Sequence, residues 1–522
     1  MSTNPAGLIQ TLALRERYRD AYWARRDPIA EDRLRWRAQT FRHTVHCLPG
    51  QRILELGGGS GLFTRQLARA TRGENPITSV TFQDSSAEAP VAGVESLRAA
   101  ELPGPLASRR FDFVVGMDLL DRRDSAWSLA VVHELLEPGG QLVFYESNPW
   151  NPVYRLKAAV ARAFRHPDPR DLLSRPRLYE LLSEIGFIRV FAVFNDFVYA
   201  PLTRAQVWFL RNLSILLENA PLVRTLAGSI LLHAQKPPRS TAPPSVSLFR
   251  HEMLRRAVSV VIPCHNEETN VVPLVERLLA LYGEYVREIV LVDDNSTDGT
   301  RAAIEGLTRA EPRVRGVFRS PPNGVGRALA DGLRAASGSW VLTADCDFQH
   351  LLPEFRDLFD AAAEGWDVVV GSRFSRHSVL LNYPFAKIFA NRAFHVLAQL
   401  LLWRRFRDLT NNLKLMRRAV IDDLVLREPG FAVNAEIGLQ PLLVGYRLRE
   451  VPISWINRAP DMGTSSFRLA QVGSGYWRAL IGLWLRCAFG VGPYRQLARR
   501  VSVRSTGRGD TLAGEAPGES RP

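Results

Sequence analysis

A chain of 522 residues is too long for one hydrophobic core and implies at least two domains. At 46% hydrophobic and 23% charged residues, the composition excludes wholesale disorder. The net charge of +14 and pI near 10.1 fit anionic partners or an arginine-rich solvated surface; no zinc-knuckle spacing or nucleic-acid signature occurs, so no nucleic-acid partner is expected.

The N-terminal MSTNPAGLIQTLALRERYRD has no basic region followed by an apolar core, so no signal peptide is expected. No charge-free apolar stretch of about 18 residues occurs, so no membrane span is expected either. Cys47, Cys264, Cys346 and Cys487 are widely separated and form no CxxC pair. That usage fits a reducing, cytoplasmic compartment and argues against structural zinc.

In the first half, the apolar runs RILEL, SVTF, FDFVV and QLVFYE alternate with helical patterns. They predict a parallel sheet covered by helices, with ligands at the carboxyl ends of its strands. RILELGGGSGLFT (Arg52 to Thr64) reads as a strand ending at Glu55, a turn carrying Gly57, Gly59 and Gly61, and a helix from about Leu62. Taken alone, the turn also fits a ligand-free strand-to-helix connection. A dinucleotide-type G-x-G-x-x-G counted from Gly57 would need glycine where Leu62 stands.

The spacing E-x-G-x-G-x-G, the Asp84 that follows SVTF, and the later segments FDFVVGMDLLD and LLEPGGQLVFYE resemble the class I S-adenosylmethionine-dependent methyltransferases over roughly residues 30–236. The resemblance implies a Rossmann-like fold with S-adenosyl-L-methionine as cofactor. Glu55, Gly57, Gly59, Gly61 and Asp84 would contact it, Asp84 through the ribose hydroxyls. The chain departs from the pattern in a short stretch from Ser85 to Arg110, where only Glu95 is acidic in a suitable place, and at Asp121, where the family often has histidine. Methyl transfer needs alignment more than acid–base help, so no catalytic base is expected. His133 and His233 read as packing residues.

KPPRSTAPPSVS (Lys236 to Ser247) is proline-rich and polar, the composition of an extended spacer. The expected division is therefore a first domain over 1–236, a linker over 237–255, a second domain over 256–492, and a small, polar and charged tail over 493–522.

The second half presents SVVIPCHN with Glu267 and Glu268, then VDDNSTDGT, NGVGRALADGL, SWVLTADCDFQH and GSRF. Asp345 and Asp347 lie two residues apart at a strand end. Such a pair is either a polar loop or a hard-oxygen site for a divalent cation. The ordered set resembles the family 2 inverting glycosyltransferases of A-type fold, particularly the dolichol-phosphate mannosyltransferases and bacterial polyprenyl-phosphate sugar transferases, over about 258–466. The resemblance implies a nucleotide-diphosphate sugar donor and Mg2+ or Mn2+ held by Asp345 and Asp347. Pro263, His265, Glu267, Val292 and Asp294 would line the nucleoside pocket. Cys346 replaces the usual alanine inside D-x-D, while Gln349 and Arg373 would face sugar or diphosphate. Glu436, in GFAVNAEI, stands at the mannosyltransferases' single glutamate, and Arg458 stands at the family's arginine, without the lysine that usually follows. Asp347, Glu436 and Arg373 are the catalytic candidates. Hydroxyl-acceptor enzymes often carry an E-D pair near this glutamate, and none occurs here. A phosphate acceptor is already an anion and needs no base, which favours polyprenyl phosphate.

Phe385 to Arg407 and Tyr476 to Phe489 combine apolar stripes with tryptophan and arginine. They fit peripheral contact at the inner membrane face, or core-facing helices with solvated arginines. The expectation is thus an α/β protein of two doubly wound domains, an N-terminal Rossmann-like methyltransferase fold and a C-terminal A-type glycosyltransferase fold. Two alternatives stay open: glycosylation of a soluble aglycone methylated by the first domain, and a non-catalytic scaffolding first domain.

Overall fold

The computed structural model describes residues 5–24, 28–83, 91–163, 171–198, 203–238, 246–375, 378–381, 385–456 and 469–490. Asp84, Arg458 and the tail beyond 490 lie outside the described residues. The chain divides into two compact units. One comprises Met1–Ala242, Arg376–Phe389 and Ser454–Asn457; the other comprises Pro243–Ser375, Ala390–Ile453 and Arg458–Pro522. Each is mixed α/β around a parallel-dominated sheet.

The first unit runs α1 (Pro5–Trp23), α2 (Pro28–Val45), β1 (Ile53–Leu56), α3 (Leu62–Ala70), β2 (Ile77–Thr81), β3 (Val94–Arg98), β4 (Phe111–Met117), α4 (Ser125–Leu135), β5 (Leu136–Ser147), α5 (Pro152–Ala163), α6 (Arg175–Ile185), β6 (Ile188–Asn195), α7 (Arg204–Asn219) and β7 (Ser229–Gln235). The sheet order is β3-β2-β1-β4-β5-β7-β6, parallel through β5, with β7 antiparallel to both neighbours. Chain direction across the sheet reverses between β1 and β4, and the crevice at such a reversal is where ligands of doubly wound sheets sit. β1, β4 and most of β5 are buried on both faces, which is why their sequences are mainly apolar and do not alternate.

The second unit runs β8 (Val258–Cys264), α8 (Glu268–Tyr282), β9 (Val286–Asp293), α9 (Thr300–Ala310), β10 (Val314–Phe318), α10 (Val325–Ala335), β11 (Trp340–Thr343), α11 (Phe355–Ala363) and β12 (Val368–Ser372). After the three-residue β13 (Val379–Leu381) come α12 (Phe385–Leu402), β14 (Lys414–Arg417), α13 (Arg418–Asp422), α14 (Val433–Val444) and β15 (Leu448–Pro452), then β16 (Ser454–Ile456) and α15 (Leu469–Phe489). Its sheet order is β10-β9-β8-β11-β14-β12-β15, with β14 antiparallel to both neighbours. The reversal point lies between β8 and β11.

β13 and β16 pair with each other in parallel and belong to the first unit, although they come from the second half of the sequence. Val379 is 2% exposed and shares a core with Phe41, Phe113 and Tyr145. Residues 246–255, expected within an extended spacer, instead pack on the second unit. Leu248 and Leu254 are buried, the Leu248 amide donates to Leu281 O at 2.7 Å, and Phe249 lies 4.7 Å from Tyr285, ring to ring. Apolar anchors here outweigh the proline-rich lead-in.

Candidate active sites

In the first unit the glycine turn leaves β1 with Gly57, Gly59 and Gly61 at φ of 72°, 52° and 73°, the left-handed region that favours glycine. Close approach adds a second reason for glycine. A Cβ on Gly59 would run into the Asp20 carboxylate and meet the Arg19 guanidinium at 2.8 Å. The group that approaches the turn is therefore part of the chain itself. Four residues of α1 spread over the carboxyl ends of β1, β2 and β4. Asp20 Oδ2 accepts from the Ser60 amide at 2.8 Å and from Gln83 Nε2 at 3.0 Å. Glu16 Oε2 accepts from the Phe82 amide at 2.9 Å and Thr81 Oγ1 at 3.0 Å. Arg19 donates to Met117 O at 3.2 Å. Arg15 donates to Leu119 O at 2.9 Å and forks onto Asp124 at 2.9 and 2.6 Å. These backbone groups are the ones a ligand at the reversal point would use, and long-range partners of this kind leave no local sequence signal.

Glu55 is 2% exposed. Its Oε2 accepts from Thr64 Oγ1 at 2.7 Å and Ser79 Oγ at 2.8 Å, and burial pushes its pKa up. It braces the turn from beneath. Asp84 lies outside the described residues, so the expected ribose contact has no geometry here. Asp121, at the family's histidine position, is held by Arg123 and the Asp171 amide, and its pKa falls to about 2 despite burial. His233 stacks on Phe191 at 4.4 Å, in keeping with a packing role.

In the second unit the reversal point collects the D-x-D segment. Asp345 and Asp347 follow β11, both half-buried. Burial, then the neighbouring Asp347 charge, raises Asp345 to about pKa 7. Asn412 Nδ2 donates to Asp345 Oδ1 at 2.7 Å. Asn412 belongs to DLTNN, which runs into β14, and the same segment ties down the end of β12: Asn411 Nδ2 donates to Gly371 O at 2.8 Å. Lys414 is fully buried, donates to Asn411 O, and is lowered by burial to about pKa 7. Asp408, Asn412 and Lys414 were not singled out in the sequence.

The other predicted residues divide. Cys346 is buried and its thiol is hydrogen-bonded to Cys264 at the end of β8, which with burial pushes its pKa up. Pro263 is half-buried, and exposed His265 shares its Nδ1 with Asp294 O at 3.0 Å, so both stay at the reversal point. Glu267 takes a hydrogen bond from Asn270 Nδ2 at 2.6 Å, while its amide donates to Thr300 Oγ1 at 2.7 Å. Asp294 is already paired with Arg319 and accepts the Gly324 amide at 2.6 Å.

Three residues depart from their expected surroundings. Val292 is fully buried in the core with Val261 and Leu333, so its side chain lines no pocket; a residue inside a strand buried on both faces cannot point outward. Arg373, expected to face sugar or diphosphate, forks onto Asp408 at 2.7 and 3.0 Å and donates to Thr410 Oγ1 at 3.1 Å. Burial alone would raise Asp408; the Arg373 guanidinium overrides it and holds that carboxyl well below its usual range. Glu436 is 1% exposed, and its Oε2 accepts the Arg427 and Glu428 amides at 2.8 and 3.0 Å, fixing the loop before α14. Gln349 falls in the 3-10 turn Phe348–Glu354, with its side chain outside the described residues, as is Arg458.

α12 and α15 meet through Phe394 and Tyr476, whose ring centroids are 5.3 Å apart. Leu480 and Leu483 turn inward, while Leu397, Leu400, Trp403, Ile481, Trp484 and Phe489 are exposed. Among the described residues no helix is long and apolar enough to cross a membrane.

The glycosyl transferase family 2 model matches residues 259–425. Polyprenol monophosphomannose synthase of Mycolicibacterium smegmatis is 28% identical over 229 residues, 42% of this chain and 85% of that protein. Dolichol-phosphate mannosyltransferase of Pyrococcus furiosus is 29% identical over 182 residues, 34% of this chain and only 51% of that protein. Among solved structures, glucosyl-3-phosphoglycerate synthase of Mycobacterium tuberculosis in complex with uridine diphosphate is 19% identical with a TM-score of 0.36, covering 47% of this chain and 88% of that one, a likeness too slight to bear on substrate or metal. The C-terminal region of this chain is thus a family 2 glycosyltransferase domain, homologous to the polyprenol-phosphate and dolichol-phosphate mannose synthases.

Proposed function

We propose that the second unit transfers a sugar, with inversion, from a nucleotide-diphosphate sugar to polyprenyl phosphate. The observation that carries this reading is the carboxylate pair Asp345 and Asp347 at the reversal point, within a stretch homologous to enzymes named for polyprenol-phosphate mannose synthesis. Two hard-oxygen donors at one strand end, where burial and the Asp347 charge both raise Asp345, fit Mg2+ or Mn2+. When bound, such an ion neutralises charge on the leaving diphosphate.

The chain's own residues do the rest. Asn412 orients Asp345. Pro263, His265 and Glu267 border the nucleoside end, and Asp294, through Arg319 and Gly324, shapes the same rim. Arg373 acts through Asp408 as a positioning residue, and Glu436 through the 427–428 loop. The acceptor phosphate oxygen attacks the anomeric carbon from the face opposite the leaving nucleoside diphosphate. It is already ionised near neutral pH, so no base is required. The apolar, tryptophan-bearing face of α12 and α15, flanked by exposed Arg404, Arg405 and Arg407, suits an anionic bilayer that carries the acceptor.

For the first unit we propose an S-adenosyl-L-methionine-dependent methyltransferase, on the glycine turn and strand order. One observation favours the scaffolding alternative: α1 already occupies the backbone groups a cofactor would use. Incubation of the full chain with a panel of nucleotide sugars and Mn2+, with and without polyprenyl phosphate, tests the main reading. It expects a labelled product that partitions into organic solvent and is released by mild acid, and vesicle binding that weakens with salt. Label confined to a soluble hydroxyl acceptor, with no vesicle binding at low salt, overturns it in favour of the aglycone route.

A further inference from the structure

α5 follows β5 after four residues, at the carboxyl edge of the first unit's sheet, and it has no buried residue. Its half-buried positions are Tyr154, Ala158 and Ala161, spaced four and three residues apart, so one side of the helix turns toward the unit. Val153, Leu156 and Val160 recur at helical spacing on another side and are 39%, 66% and 47% exposed. Trp150, just before the helix, is 46% exposed. The helix carries Arg155, Lys157 and Arg162 and no acidic residue.

A helix that faced the core with this stripe would bury Val153, Leu156 and Val160; α5 instead turns Tyr154, Ala158 and Ala161 toward the unit and leaves the stripe exposed. Isolated exposed leucines need no explanation, but an apolar stripe of three, flanked by an indole and bordered by three cations with no carboxylate on the helix itself, matches the chemistry of an anionic lipid interface. There apolar side chains enter the acyl boundary, tryptophan sits at headgroup depth, and long basic side chains reach the phosphates. A second protein copy would meet the same uncompensated positive charge on its own α5, which disfavours self-pairing through this face.

We infer that α5 is an interfacial helix by which the first unit seats itself on an anionic membrane surface. The docking does not depend on what either unit catalyses. If the methyltransferase reading also holds, the carboxyl-edge location of α5 makes a lipid-borne group the natural methyl acceptor.

The test must report on α5 alone, because the α12 and α15 face is separately proposed to meet lipid. A Leu156→Cys variant of the full chain, with exposed Cys487→Ser, is labelled with an environment-sensitive fluorophore at residue 156; the remaining cysteines are buried. With phosphatidylglycerol-containing vesicles at low salt, emission should shift to the blue and rise by on the order of twofold. The response should disappear at high salt, and a Val153→Glu, Val160→Glu background should abolish it without loss of helical circular dichroism. Unchanged emission from residue 156 while the protein sediments with vesicles overturns the inference. So does an equal response to purely zwitterionic vesicles. A blue shift that grows with protein concentration in the absence of vesicles identifies a second copy as the occupant, and overturns it too.

Discussion

Asn412 donates its side-chain amide to Asp345 across 2.7 Å, joining the segment that enters one strand to the carboxylate that follows its antiparallel neighbour. A carboxylate raised to about pKa 7 is kept in place by one neutral donor. Partners that orient a ligating group in this way usually tune metal affinity by about 10–100-fold. Asn412→Ala should therefore raise the Mn2+ concentration needed for half-maximal sugar transfer by about that factor, with the rate at saturating Mn2+ largely restored. Manganese titrations of both proteins at fixed donor check it; a lost rate that no metal concentration recovers would assign Asn412 a different role.

Asp347→Asn removes one charge from the pair and should leave the fold intact while lowering transfer by about two orders of magnitude or more. Turnover of the nucleotide sugar with Mn2+, beside a thermal melt, is the measurement. Activity within a few-fold of the unaltered chain would remove Asp347 from the metal site.

The Arg373–Asp408 fork is buried, with side-chain exposures of 9% and 0%. Deleting one partner of such a pair strands the other charge, at a cost of about 3–5 kcal/mol. Asp408→Asn should lower the unfolding free energy obtained from urea melts by that amount, and Arg373→Met with Asp408→Leu should recover a large part of it. Because the Asp408 carboxyl is held below its usual range, its contribution is present above the unfolded carboxylate pKa and is lost as pH falls through the lower folded value.

In the first unit, buried Glu218 accepts from Ser214 Oγ at 2.5 Å and the Asp196 amide at 2.8 Å, and burial raises it to about pKa 7. The folded state then keeps a proton that the unfolded state has released. Stability from this group is full below about pH 4.5, falls as pH rises toward 7, and stays at the lower level above. Glu218→Gln should match the unaltered chain near pH 4.5 and exceed it by up to about 3 kcal/mol at pH 8. Denaturant melts at the two pH values decide; a constant difference would place the cause elsewhere.

On the proposed methyltransferase reading, α1 and a bound cofactor would compete for the same amides. Asp20→Ala frees the Ser60 amide and Gln83 and also removes the carboxylate paired with buried Arg19 at 2.9 Å, so a thermal melt of the variant accompanies the titration. Calorimetric titration of S-adenosyl-L-methionine into the full chain should give tighter binding for the variant. Equal affinity for both would mean that α1 does not compete, and no heat from either at millimolar ligand would favour the scaffolding alternative.

The parts of both sites that lie within one local motif were readable in the sequence. The glycine turn announced itself because positive φ demands glycine at Gly57, Gly59 and Gly61, and the D-x-D pair because its two carboxylates stand two residues apart just past a strand end. Pairings between distant segments were not readable. Arg373 looked available until Asp408, 35 residues later, claimed its guanidinium, and Val292 looked like pocket lining because the motif around it is polar while its own side chain points into the core. The occupation of the glycine turn by α1 rests on separations of 40 residues and more, which no periodicity encodes.

The small β13–β16 sheet has a consequence for biosynthesis. The first unit begins at the amino terminus, yet its last strand ends at Ile456. A domain that emerges early from the ribosome ordinarily completes its core before the next is made. Here the core around Phe41, Phe113 and Tyr145 lacks Val379 until about half of the second unit has been synthesised. Severing the chain in the proline-rich stretch near residue 240 would therefore yield an amino-terminal fragment missing part of its own interior. Natural rearrangements that shuffle whole domains could not easily have separated these two halves once the strands had crossed over.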